Sequence, residues 1–224
     1  MHICLFDIDG TLINTGGAGK AAMEAALLEE FGLPGVRGAV PYNGRTDRAI
    51  IRDLLRLHAI EDTEANALRL IESYLHHLPR CLVGHPGRVL PGIAALLECL
   101  RARDDVVVGL LTGNLREGAR AKLGHFGLYE NFAFGGFGDD HLDRDDVARA
   151  ALTEIHRRFD GAVQADRVWV VGDTPLDVAC ARAIGARAVA VATGWTSRNE
   201  LAGHAPDLLL DDLADAAPLL ACWQ

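Results

Sequence analysis

The sequence of 224 residues predicts an α/β protein: a doubly wound parallel sheet with a small α-helical unit inserted after its first strand. Three observations carry that reading. From residue 89 onward, short apolar runs alternate with segments of helical periodicity, as strand–helix–strand crossovers require. Residues 15–88 hold helical patterns only. The apolar runs also end in acids, threonines and glycines, at the strand ends where open α/β sheets bind ligands.

The first strand is the run Ile3 to Phe6, and it ends in Asp7-Ile8-Asp9-Gly10-Thr11-Leu12. Strand alternation points Asp7 and Asp9 the same way. Two carboxylates so close repel, so a cation or a shared proton should accompany them. Mg2+ suits that oxygen pair and leaves one acid free for nucleophilic or acid–base work. An Asp-Gly turn alone needs no chemistry. Burying two acids beside a core strand, however, costs free energy without a use for them.

Residues 13–20 are small and polar, and read as a hinge out of the core. Gly19-Lys20 makes no P-loop, because Asn14 stands where the first glycine is needed and Ala21 where Ser or Thr would hold the metal. Apolar spacing then predicts helices over 20–31, 46–57 and 63–78, followed by the breaker cluster Gly84-His85-Pro86-Gly87. The expected domains are therefore 1–14 with 89–224, and a helical unit over 15–88. In the second part, helices are predicted over 91–103, 115–125, 145–159 and 176–184. Strands are predicted over 106–111, 132–134, 168–171, 188–191 and 208–210. Pro91 is expected in the first turn of its helix.

Two more strand ends carry polar groups. Leu111-Thr112-Gly113-Asn114 offers a hydroxyl and free N–H groups before a helix, an anion cradle in outline and a plain N-cap turn in the blander reading. Gly172-Asp173-Thr174-Pro175-Leu176-Asp177 places one acid at a strand tip and another in the next helical turn; a capped helix alone would also look like this.

Together these runs resemble the haloacid dehalogenase-like hydrolase superfamily: Asp-x-Asp-Gly-Thr first, Thr112 second, Gly-Asp-Thr-x-x-Asp last. The order of motifs and helical insert is similar to its phosphoglycolate phosphatase and β-phosphoglucomutase branch. The resemblance implies a phosphatase that forms an aspartyl-phosphate on Asp7, with Asp9 as acid and then base, and Thr112 on the phosphoryl group. It implies Mg2+ held by Asp7, Asp9 through its main-chain carbonyl, Asp173 and Asp177. The family's usual third-motif lysine is missing; Arg144, just before a helix, is its expected replacement, while Lys122 lies earlier, inside a helix. Gly10, Gly113, Asn114 and Arg45 are the candidate substrate-binding positions, Arg45 through the stretch Tyr42 to Asp47, which resembles the branch's specificity loop.

The remaining composition narrows the class. A net charge of −9 argues against a nucleic-acid surface, and five scattered cysteines without a CxxC pair read as free thiols. His76, His77 and His85 lack metal-site spacing. No signal peptide or membrane-spanning stretch is read, so the expected setting is the cytoplasm and the expected partner a small phosphoester. A carboxylate at Asp9 disfavours dehalogenation, and Lys20 is the sole insert lysine for imine-forming phosphonate chemistry. A phosphohexomutase and a non-catalytic binding module on the same fold stay open. A dehydrogenase would need GxGxxG where Asp7-Ile8-Asp9-Gly10 stands.

Overall fold

The computed structural model describes residues 1–223. The strands are β1 (His2–Phe6), β2 (Ile13–Asn14), β3 (Arg88–Val89), β4 (Val106–Leu111), β5 (Gly135–Gly136), β6 (Val168–Gly172), β7 (Arg187–Val191) and β8 (Leu208–Leu210). The helices are α1 (Ala18–Phe31), α2 (Asp47–Leu57), α3 (Glu64–Gly84), α4 (Ile93–Arg101), α5 (Arg116–His125), α6 (Arg144–Arg158), α7 (Pro175–Ala183), α8 (Arg198–Gly203) and α9 (Ala217–Ala221).

Six strands form one parallel sheet in the order β5-β4-β1-β6-β7-β8. β1 is central because its side chains are apolar on both faces, and alternation sends Cys4 and Phe6 one way and Ile3 and Leu5 the other. The first pair packs with Leu96, Leu97 and Leu100 of α4 and Leu123 of α5. The second packs with Val147, Ala151 and Ile155 of α6 and Val178 and Ala181 of α7. Phe6 pairs in register with Leu110 on one side and Val171 on the other. The tips of β1, β4 and β6 are therefore level, which brings Asp7, Thr112 and Asp173 to one rim.

Helices α1–α3 bury a core of their own, including Leu27, Ile51, Leu54, Leu55, Leu70, Tyr74 and Leu78. Each of these Leu and Ile side chains contributes about 1.5–3 kcal/mol by leaving water. Leu115, ahead of α5, joins this cluster and ties the bundle to the sheet layer. Thr46 and Thr63 cap α2 and α3 through their side-chain oxygens.

The helices and most strands lie where the periodicity puts them, with four differences. The hinge and linker pair with each other as β2 and β3, Ile13 against Val89, so the way into the bundle and the way out are one ribbon. α4 starts at Ile93, not Pro91, because Gly92 takes a left-handed φ of 80° where a Cβ would lie 1.8 Å from the Leu213 carbonyl. α3 runs on through Pro79, which sits on an exposed stretch of the helix where a lost backbone bond can be replaced by water. The edge strand is Gly135–Gly136, not 132–134, and α8 and α9 complete the chain. All five cysteines are free thiols. Among the described residues no helix is long and apolar enough to cross a membrane.

Candidate active site

The level strand tips open into a cavity of about 430 Å³ between sheet and bundle. Asp7, Asp9, Asn114, Lys122, Arg144 and Asp173 line it from the sheet side, and Lys20, Tyr42, Arg45, Asp47 and Tyr74 from the bundle side. Asp7 and Asp9 do face one space.

On the Asp7 side, four charged groups meet in near-complete burial. Arg144 is 6% exposed; its guanidinium lies 3.4 Å from Asp7 Oδ1 and donates to Asp177 Oδ1. The helix start at Arg144 delivers it there, since Asp143 caps α6. Burial raises the Asp7 carboxyl to about 7, with Arg144 opposing and Asp177 and Asp9 adding to the rise. Burial also pushes Asp173 well up, helped by Asp177 and Asp7. For Arg144 burial disfavours the charge, but Asp177 and Asp7 outweigh it and the guanidinium stays charged.

The fold makes room for Asp173. A Cβ on Gly10 would lie 2.4 Å from Asp173 Oδ2, and one on Gly194 would lie 1.7 Å from it. Thr11 Oγ1 donates to Asp173 Oδ1 at 3.1 Å, while Oδ2 is buried without a hydrogen-bond partner. Carboxylate oxygens of Asp7, Asp173 and Asp177 lie within 4.8 Å of one another. An orphaned oxygen among hard, mutually repelling carboxylates fits a divalent cation such as Mg2+. No histidine joins a candidate metal group among the described residues. Asp177 is the most committed of the three acids, because its Oδ2 also accepts from the Thr174 N–H and hydroxyl in a capping box.

On the Asp9 side the arrangement differs. Asn114 Nδ2 donates to Asp9 Oδ2 at 2.9 Å and to Thr112 Oγ1 at 2.8 Å. Lys122 Nζ reaches the same Asp9 Oδ2 at 2.6 Å and Asn114 Oδ1 at 2.5 Å. Lys122, set aside in the sequence as a helix residue, is only 4% exposed and belongs to the site. The signal for it is present but weak: Asn114, Gly118 and Lys122 follow at spacings of four, on one face of the helix after the second strand end. Thr112 is fully buried at the strand tip, where its side chain works against the rise of the Asp7 carboxyl.

Backbone groups of the sheet layer dock the bundle. The Asp47 N–H donates to the Gly113 carbonyl at 2.7 Å, and the Leu115 N–H donates to Asp47 Oδ2 at 3.0 Å. A Cβ on Gly113 would lie 2.1 Å from the Arg45 carbonyl, so only glycine lets the two layers meet. Neither Gly10 nor Gly113 is among the residues that line the cavity. Arg45 lines the cavity, but its guanidinium is held by Asp53 at 2.8 Å and by the Pro41 carbonyl at 3.2 Å. Asp47, missed as a site residue, is buried and raised to about 6 by that burial, with Lys122 opposing.

This geometry has relatives. A profile of haloacid dehalogenase-like hydrolases matches residues 4–182. A phosphoglycolate phosphatase of Synechococcus elongatus is 31% identical over 217 residues, covering 96% of this chain and 95% of the relative. One from Rhodospirillum rubrum is 31% identical over 231 residues, covering 94% and 87%. Among solved structures, CbbY from Rhodobacter sphaeroides in complex with phosphate superposes with a TM-score of 0.75 at 21% identity, covering 96% of each chain. A Haemophilus somnus protein described as a predicted phosphoglycolate phosphatase gives 0.76 at 19%, covering 98% of each, and both show the shared fold. With three motifs in order on this fold, the chain belongs to the haloacid dehalogenase-like hydrolases, in the branch that holds the phosphoglycolate phosphatases.

Proposed function

We propose that the chain is a Mg2+-dependent phosphatase that hydrolyses a small phosphate monoester through an aspartyl-phosphate on Asp7. The observation that carries the proposal is the pair of strand-tip carboxylates on one cavity, one backed by Asp173 and Arg144, the other held by Asn114 and Lys122. An Asp7 oxygen attacks phosphorus, the ester P–O bond breaks, and Asp9 gives its proton to the departing oxygen. Asp9 then takes a proton from water; that oxygen attacks phosphorus, and the P–O bond to Asp7 breaks to release phosphate. Thr112 and Arg144 stand beside Asp7, where they can donate to the phosphoryl oxygens. Mg2+, held by Asp7 and Asp173 with Asp177 and the Asp9 carbonyl alongside, would supply positive charge against the developing phosphoryl charge. Asp177 orients Arg144. The helical unit over 15–88 acts as a cap that keeps water out.

The size of the cavity, about 430 Å³, suits a small ester, and the relatives named for phosphoglycolate make 2-phosphoglycolate the first substrate to try. Phosphate release would be followed over a panel of small esters, with and without Mg2+, for the wild type and Asp7→Asn. Release that needs both Mg2+ and Asp7 supports the reading. Release that survives Asp7→Asn removes the nucleophile, and transfer between sugar hydroxyls without net release would favour a mutase.

A further inference from the structure

The lysine inside α5 does more than fill space. An ammonium 4% exposed is costly to bury unless its donors are satisfied. Lys122 spends two of its three on Asp9 Oδ2 and Asn114 Oδ1, at 2.6 and 2.5 Å. Asn114 closes the triangle by donating to the same Asp9 Oδ2 at 2.9 Å. Asp9 Oδ1 accepts no hydrogen bond from the described residues, and Asp9 lines the cavity. One carboxylate oxygen is therefore fixed twice and the other is free.

The surroundings keep this triangle intact. Asn114 stands just ahead of α5 and Lys122 lies two turns on, so a single helix presents both groups to Asp9. Gly19 in the first turn of α1 passes so close that its Cβ would lie 3.3 Å from Lys122 Nζ. The bundle backbone thus passes directly beside the ammonium.

We infer that Lys122 is a positioning residue: with Asn114 it pins Asp9 Oδ2, so that Oδ1 is the one oxygen presented to the leaving group and then to water. This rests on the phosphatase reading, in which Asp9 handles the proton. Two donors on one oxygen set both the rotamer and the plane of the carboxylate, the orientation that proton transfer in a bound complex demands.

The test separates positioning from bulk stability through the leaving group. Phenolic phosphates with good leaving groups need little protonation, whereas alkyl phosphates need it fully. kcat/KM would be measured on both ester classes for the wild type, Lys122→Met, Lys122→Gln, Asp9→Asn and the Lys122→Met/Asp9→Asn pair, with thermal unfolding as a folding check. Lys122→Met should lower kcat/KM for alkyl esters on the order of 100-fold, and for p-nitrophenyl phosphate by about tenfold less. The pair should be no slower than Asp9→Asn alone, because Lys122 acts through Asp9. If Lys122→Met does not fold, Lys122→Gln, which keeps an amide donor, should show the same leaving-group bias in milder form. Equal losses on both ester classes, or losses that multiply in the pair, overturn the inference while the phosphatase reading stands. A wild type that releases phosphate from no ester overturns both.

Discussion

Asp7 and Asp9 leave one strand tip two residues apart and enter opposite surroundings. Asp7 is 4% exposed and faces Asp173 and Asp177, with Arg144 as the cation between them. The side chain of Asp9 is 29% exposed and faces an ammonium and an amide. One neighbourhood has more carboxylates than its cation can balance; the other pairs each negative group with a donor. In the proposed reaction the same residue type does two kinds of work, and environment makes the assignment. On the proposed reading, the crowded half is where a metal and a phosphoryl group would bring compensation from outside. The paired half is already complete and has only to hold still.

The largest effects should come from erasing the difference. Asp7→Asn should reduce phosphate release by at least about 10³-fold, and Asp9→Asn by about 10² to 10⁴-fold on alkyl esters. Their stabilities should diverge in calorimetry. Asp7→Asn removes a buried carboxylate raised to about 7 and should melt no lower than the wild type at pH 8, whereas Asp9→Asn leaves the buried Lys122 without its anion and should melt lower. A lower melting temperature for Asp7→Asn than for Asp9→Asn would break the comparison.

Arg144→Met is next, for it takes the cation from the crowded half and leaves Asp7 and Asp177 unpaired. A loss of about 3–5 kcal/mol in denaturant unfolding without Mg2+ is expected, with Arg144→Lys recovering part of it. Saturating Mg2+ should narrow the deficit, because a bound cation stabilises the folded state. The same loss with and without Mg2+ would mean that Arg144 and the metal do not share these acids.

Gly194→Ala acts more locally. Its Cβ would lie 1.7 Å from Asp173 Oδ2, so the carboxylate or the loop must shift. Destabilisation of about 1–3 kcal/mol is expected, with weaker Mg2+ binding by titration calorimetry. An unchanged Mg2+ affinity would remove Asp173 Oδ2 from the metal site.

The effect at Asp47, at the bundle's contact with the Lys122 side, vanishes at about pH 4 and grows with pH. Burial raises its carboxyl from 3.8 to about 6, so the folded chain holds that proton more tightly than the unfolded one. Folding stability contributed by this group is then full below pH ~4 and falls as pH rises through ~6. Asp47→Asn should match the wild type in stability near pH 4 and exceed it by about 1–3 kcal/mol at pH 8. A constant difference across that range would show that Asp47 does not titrate on folding.

The parts whose signals are local can be read along the chain. Apolar runs give the strands, spacings of three and four give the helices, and Asp7, Thr112 and Asp173 declare themselves by ending strands. Even Arg144 is legible, since it begins a helix whose face is apolar at Val147, Ala148, Ala151 and Ile155. What meets at the rim follows from packing between distant segments. Lys122 touches an acid 113 residues away, and nothing in its own helix tells which neighbour that face will meet. Arg45, promising as an anion contact, is turned onto Asp53 because α2 presents that acid beside it. Asp47 is buried only because the bundle docks on Gly113, where a side chain would clash. Periodicity reports which face of an element is buried; register and docking choose the partner, and they depend on the packing of the whole chain.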